Sequence, residues 1–272
     1  MKKYLFLLFL IAYAFKLPAQ HTDALVNAEK AFEKICLEKG IRDGFLSFVD
    51  SNAIILTDKG PVNAKQFWNS LPVLEAVFTW SPSFTEMSIS SDWGYTSGNF
   101  EHRAKFLADT VNATGQYSTV WHKTEQGEWK YLIDIGNDHA ATPLVKYAKT
   151  IKIEKSSGGS GTNADSLMDI EKKFILLFEK NINEAYQQSG SEKYILNITG
   201  YTAITTTAEA ISVLKKTPSP LKYHPAGSAI SPAKDMAVVY GVFERDHIQG
   251  KYLRIWRHEK NGWKIALEVI KI

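Results

Sequence analysis

Two acids, Asp134 and Glu268, stand at matching places, each five residues after a tryptophan that a lysine follows (Trp129-Lys130 and Trp263-Lys264). Either carboxylate could serve as a base or orient a ligand, or could pair on the surface with the lysine two strand steps away, Lys130 or Lys264. Beside them run alternating stretches. Tyr117, Thr119 and Trp121 share one face with Trp129, Tyr131 and Ile133 of the next stretch, and Tyr252, Arg254, Trp256, Trp263 and Ile265 repeat the pattern. A face of aromatic rings with few polar handles suits a ligand pocket, and it equally suits a packed core. Trp93, Tyr95 and Tyr240 on preceding stretches complete the pocket candidates. Arg254 on an inward face would need an anion or a carboxylate partner.

Other chemistry is poorly supplied. The seven histidines form no H-x-x-x-H or H-E-x-x-H spacing, and His102 with His122, which could meet across adjacent strands, lacks a third ligand. No metal and no cofactor is therefore expected. No G-x-S-x-G, Walker or dinucleotide-binding pattern occurs, and Lys and Arg are not clustered as in a nucleic-acid binder. Cys36, the single cysteine, cannot form an internal disulfide and reads as a small buried hydrophobe among Phe32, Ile35 and Leu37. Asn112-Ala113-Thr114 and Asn197-Ile198-Thr199 match the short glycosylation sequon.

The elements that must position these groups begin after an export signal. Lys2 and Lys3 precede the apolar run Tyr4 to Phe15, and Leu17-Pro18-Ala19 offers a cleavage point before Gln20, so residues 1–19 read as a signal peptide. Its removal takes away three lysines and no acid, which lowers the formal charge of +3 to about zero. The run is short of a comfortable membrane span, so no stable anchor is expected after cleavage. The location implied is periplasmic or extracellular.

A Gly/Ser-rich segment, 151–165, then separates residues 22–150 from 166–272. The two parts repeat one another. Amphipathic helices match between Ala28–Cys36 and Ile170–Phe178, short strands between Ala53–Leu56 and Thr202–Thr205, and small helices between Ala64–Trp68 and Ala208–Leu214. Strands match between Tyr95–Glu101 and Val238–Glu244, and between Tyr117–Trp121 and Tyr252–Trp256. Glu125-Gln126-Gly127 and Lys260-Asn261-Gly262 are hairpin turns into the last strands, and Gly98 and Gly241 mark mid-strand bulges or bends. The expected fold class is α+β: two tandem cone-shaped α+β barrel domains, each a curved antiparallel sheet wrapped around an N-terminal helix.

The stretch Ser91-Asp92-Trp93-Gly94-Tyr95-Thr96-Ser97-Gly98 resembles the D-x-G-Y-T-x-G strand of secreted SnoaL-like proteins of the nuclear-transport-factor-2-like (cystatin-like) superfamily. Gly115–Trp121, Gly127–Gly136 and Trp80-Ser81-Pro82 are similar to neighbouring segments of those proteins. The second part lacks this signature and joins through the repeat. The resemblance implies a cone fold more than an activity. Steroid isomerases of the superfamily use a helix tyrosine, a strand-end aspartate and a protonated late-strand aspartate. Here the corresponding places hold Phe32, a turn near Asp58, and Tyr117, and in the second part Phe174 and Tyr252, so that constellation is incomplete.

Three functions are in view. The first is a non-catalytic exported binder of a small organic, partly apolar molecule. The second is a lyase, isomerase or hydrolase using Asp92, Tyr95, Tyr117 or Asp134. The third is an interaction scaffold in which the two domains pair within one chain as a pseudo-dimer, leaving a surface for a protein partner. N-terminal sequencing of the exported protein should begin at Gln20; a chain retaining Met1 would contradict the signal reading.

Overall fold

The computed structural model describes residues 22–140, 151–153, 164–216 and 220–272. The signal segment and most of the Gly/Ser-rich segment lie outside the described residues.

The first unit opens with α1 (Thr22–Lys39), whose buried stripe Leu25, Ala28, Glu29, Phe32, Cys36 follows helical spacing. Asp23 in its first turn and Lys39 in its last suit the helix dipole. Gly40, at a φ of 85°, turns the chain into α2 (Ile41–Phe48). A hairpin of β1 (Val49–Thr57) and β2 (Gly60–Asn63) leads to α3 (Ala64–Ser70), capped by the Asn63 side chain. Four eleven-residue strands follow: β3 (Val77–Met87), β4 (Trp93–Arg103), β5 (Ala113–Lys123) and β6 (Trp129–His139). With β7 (Ile151–Ile153) they form a sheet ordered β2-β1-β6-β5-β4-β3-β7, antiparallel except where β1 joins β6 and β7 joins β3.

The second unit repeats the plan with α4 (Ala164–Lys180), α5 (Ile182–Ser189), β8 (Gly190–Ile198), α6 (Thr207–Leu214), β9 (Lys222–Ile230), β10 (Met236–Arg245), β11 (Ile248–Glu259) and β12 (Gly262–Lys271). Its sheet runs β8-β12-β11-β10-β9. The described elements thus form two tandem α+β units, each a curved sheet closing on a long helix.

The expected hairpin turns join β5 to β6 and β11 to β12. The mid-strand glycines lie opposite bulges in β3 and β9. A side chain at Gly98 would strike the Ser81 carbonyl at 2.0 Å, and one at Gly241 the His224 carbonyl at 2.2 Å. Each bulge presses its backbone onto its neighbour, so only glycine fits. One sequence expectation is corrected. The strand equivalent to β1 is β8, and Ile204 makes only an isolated bridge to Leu196, in the place that β2 takes in the first unit.

The inner face of each sheet packs on its own helices, and the outer faces pack on each other. Trp93, Tyr95, Val120, Ile133 and Ile135 of the first sheet meet Met236, Val238, Leu253, Ile255, Leu267 and Val269 of the second in one apolar cluster. Several polar groups buried there are paired. Arg257 donates to both oxygens of Glu86 at 2.7 Å, and the Tyr95 hydroxyl donates to Glu86 at 3.0 Å. Asp235 accepts from the Ser88 hydroxyl at 2.6 Å and the Ile89 amide at 2.8 Å. Asn197, buried here, donates to Ser97 and Ser118, so its sequon is inaccessible in the folded chain.

Removing one partner of a buried ion pair leaves an uncompensated charge. Arg257→Ala should therefore lower the unfolding free energy by about 3–5 kcal/mol in chemical denaturation, whereas surface substitutions stay within about 0.5 kcal/mol.

Candidate functional site

The interior of each cone is organised by a carboxylate on its long helix. Glu29 of α1 is wholly buried and accepts from the indoles of Trp80 and Trp121 and from the Thr96 hydroxyl. Glu171 of α4 is its counterpart, and it accepts from the Trp256 indole at 2.9 Å. The strands present a second acid to each cone. Thr119 stands directly across from Asp134, and Arg254 directly across from Glu268. Beyond these positions the partner strands bulge, at Leu132 in β6 and at Ala266 in β12, which turns Tyr131 and Ile265 to the inner face beside Trp121 and Trp256.

The two interiors differ in what fills them. In the second unit Arg254, fully buried, donates from Nη1 to Glu171 and from Nε to Glu268 at 2.8 Å. Its guanidinium lies over the rings of Phe174, Tyr223 and Tyr252, at 4.4, 4.0 and 4.8 Å from their centres. The hydroxyls of Tyr186, Tyr194 and Tyr223 also donate to Glu268. Burial opposes the charge on Arg254, but the two acids outweigh it and hold the guanidinium protonated.

In the first unit Thr119 replaces that arginine and Ala53 stands where β8 has Tyr194. A cavity of about 530 Å³ opens there. Its wall includes Phe32, Phe45, Trp68, Trp80, Phe100 and Tyr117, with Asp134 and Asp138 from β6 and Lys271 from the second unit's last strand. Asp134 accepts from the Thr119 hydroxyl at 2.7 Å. Burial pushes its carboxyl up to about 6, against that hydrogen bond and the charge of Lys271. Burial likewise raises Glu29 to about 7, against its hydroxyl and indole donors. Lys271 is held below the ordinary lysine range by desolvation, opposed chiefly by Asp138.

The sequence-level candidates divide among three places. Tyr117 and Asp134 line the cavity, and Thr119 supports Asp134 from within. Trp121 and Tyr131 are packed into the first core with α1, and Trp129 borders it. Trp93 and Tyr95 lie on the outer face against the second sheet, as does Ile133, because the bulge at Leu132 shifts the alternation. In the second unit Tyr252, Arg254, Trp256 and Glu268 fill the closed interior, Trp263 borders it, and Tyr240 sits on the outer face. The expected surface pairs of Asp134 and Glu268 with Lys130 and Lys264 do not form. Lys130 reaches the Ser47 carbonyl and Lys264 that of Gln188. Asp58 sits in the β1–β2 turn, paired with Lys251 at 2.8 Å, and His122 pairs with Asp50 rather than meeting His102.

Glu29 and Glu171, Trp80, Phe45 and Lys271 were not singled out by the residue reading. The shared helix pattern Glu-Lys-x-Phe at 29–32 and 171–174 was the available signal for the two glutamates.

Because the folded pKa of Glu29 lies above 4.5, the folded chain holds a proton that the unfolded chain loses between about pH 4.5 and about 7. Its contribution is full below that window and lost as pH rises through it, about 3 kcal/mol in all. Glu29→Gln should flatten this part of the stability profile, read by denaturation at pH 4.5 and pH 8.

No family model and no curated protein matches the sequence. Among solved structures similar to the chain is an NTF2-like protein from Cytophaga hutchinsonii, 21% identical, TM-score 0.34, covering 39% of this chain and 95% of that one. An NTF-2 like protein of unknown function from Shewanella oneidensis is 17% identical, TM-score 0.34, with 40% and 98% covered. A ketosteroid isomerase-like protein from Erwinia carotovora atroseptica is 15% identical, TM-score 0.34, with 40% and 94% covered.

Proposed function

We propose that the chain is an exported, non-catalytic binding protein whose first unit holds a small, partly apolar molecule, and whose second unit is a filled structural copy. The observation that carries this reading is the contrast between the two interiors. The same cage of helix acid, strand acid and aromatic rings is packed shut around Arg254 in one unit and encloses about 530 Å³ in the other. A cavity of that size, lined mainly by rings with a few polar groups, suits a small organic molecule.

A second reading has one observation in its favour. Asp134 faces the cavity with its carboxyl raised to about 6, a value suited to general acid–base work of the lyase or isomerase kind. In that reading Asp134 exchanges the proton and Tyr117 lies near the substrate.

A small-molecule fragment screen by ligand-observed NMR on residues 20–272 tests the first reading. Bound fragments should lose at least about tenfold in affinity when Ala113→Trp blocks the cavity. Fragments that bind both forms equally would place binding elsewhere and defeat the proposal.

A further inference from the structure

We infer that the first unit's cavity receives a positively charged nitrogen, an organic ammonium or guanidinium carried on a small apolar body. This rests on the reading of the cavity as a binding site and names the chemical class it takes.

The second unit holds the same cage with the cation built in. Its guanidinium is gripped by two acids, Glu171 and Glu268, and flanked by three rings, Phe174, Tyr223 and Tyr252. All five have counterparts in the first unit at the same structural positions. Glu29 and Phe32 occupy the helix places of Glu171 and Phe174. Asp134 takes the place of Glu268, since each lies directly across from residue 119 or 254. Tyr117 precedes Thr119 as Tyr252 precedes Arg254. Trp80 pairs with Phe100 as Tyr223 pairs with Phe243, two residues before the equivalent prolines Pro82 and Pro225.

Of the three rings, all three line the cavity, and so does Asp134. What the first unit lacks is the arginine, because Thr119 is too short to reach beyond Asp134, and the Tyr194 ring, whose place Ala53 takes. The Tyr117 hydroxyl is buried on the cavity wall. Glu29 is already satisfied by Trp80, Thr96 and Trp121, so Asp134 makes the direct contact and Glu29 stands behind it.

The remaining polar groups around the site are His102 on β4, Asp138 on β6 and Lys271 on β12. The three acids Glu29, Asp134 and Asp138 outnumber the one lysine, whose strongest electrostatic partner is Asp138. Aromatic faces add attraction for a cation and none for a neutral molecule of the same shape beyond its apolar contact.

The test is calorimetric titration of residues 20–272 at pH 8 with phenethylguanidinium and, as a neutral match, 2-phenylethanol. The cation should bind at least about tenfold more tightly than the alcohol, and Asp134→Asn should shrink that preference to about threefold or less. Thr119→Arg, which rebuilds the second unit's arrangement, should abolish binding of both probes and raise Tm. If that variant fails to fold, the Asp134→Asn comparison still decides. Equal binding of the two probes, or a preference that survives Asp134→Asn, would overturn the cation inference and leave the cavity reading standing. No binding of either probe by the unaltered protein, with no fragment captured in the NMR screen, would overturn both.

Discussion

A buried glutamate on the first helix of each unit, held by the indole of a tryptophan two strands deep in the sheet, is the constraint on which the cone depends. A carboxylate removed from water is destabilising unless every oxygen is satisfied. Glu29 therefore requires Trp121, Trp80 and Thr96 at fixed positions, which ties α1 to β3, β4 and β5 at once. Glu171 makes the equivalent demand on Trp256 and Arg254. The bulge on the strand beside each tryptophan, at Leu132 and at Ala266, turns Tyr131 and Ile265 to the same inner face as that ring.

That bulge also divides the two faces of the sheet. Inward residues beyond it serve the cone, and outward residues supply an apolar layer that neither unit can cover alone. The sheets solve this together, with Val120, Ile133 and Ile135 meeting Val238, Ile255 and Leu267. Area burial of this kind is not directional, so specificity comes from the paired polar groups set within it. Arg257 with Glu86, and Asp235 with Ser88 and Ile89, fix how one sheet lies on the other. Lys271, at the end of the last strand, reaches the first unit's cavity as a result.

Duplication left the framework in place while the interiors diverged. Two changes account for most of the difference, arginine against threonine at the strand position facing the second acid and tyrosine against alanine on the first long strand. With both large residues present, the acids, hydroxyls and rings satisfy one another and no room remains. With both small, Glu29 stays wholly buried, Asp134 faces the cavity with no arginine beside it, and both carboxyls are raised. The closed unit thus has a filled interior, while the open one retains a charged, ring-lined space.

Much of this was legible in the residues themselves. Period-two alternation, the Gly-bearing turns and the repeated helix pattern determine the elements, the duplication and the mid-strand bulges, because those depend on local geometry and on spacing along the chain. Asp134 and Glu268 stood out by position, and Arg254 by its need for an anion. Which face each residue takes was not legible where the register shifts by one: Ile133 follows Tyr131 by two residues, yet the bulge at Leu132 sends it outward. The pairing of Glu29 with two tryptophans, 51 and 92 residues away, could not be read from spacing at all. Sequence by itself determined two helix-and-sheet units of one design. Only the tertiary structure decided which of them closes on its own arginine and which stays open, because that outcome depends on the summed volume and charge of side chains from separate strands meeting in one interior.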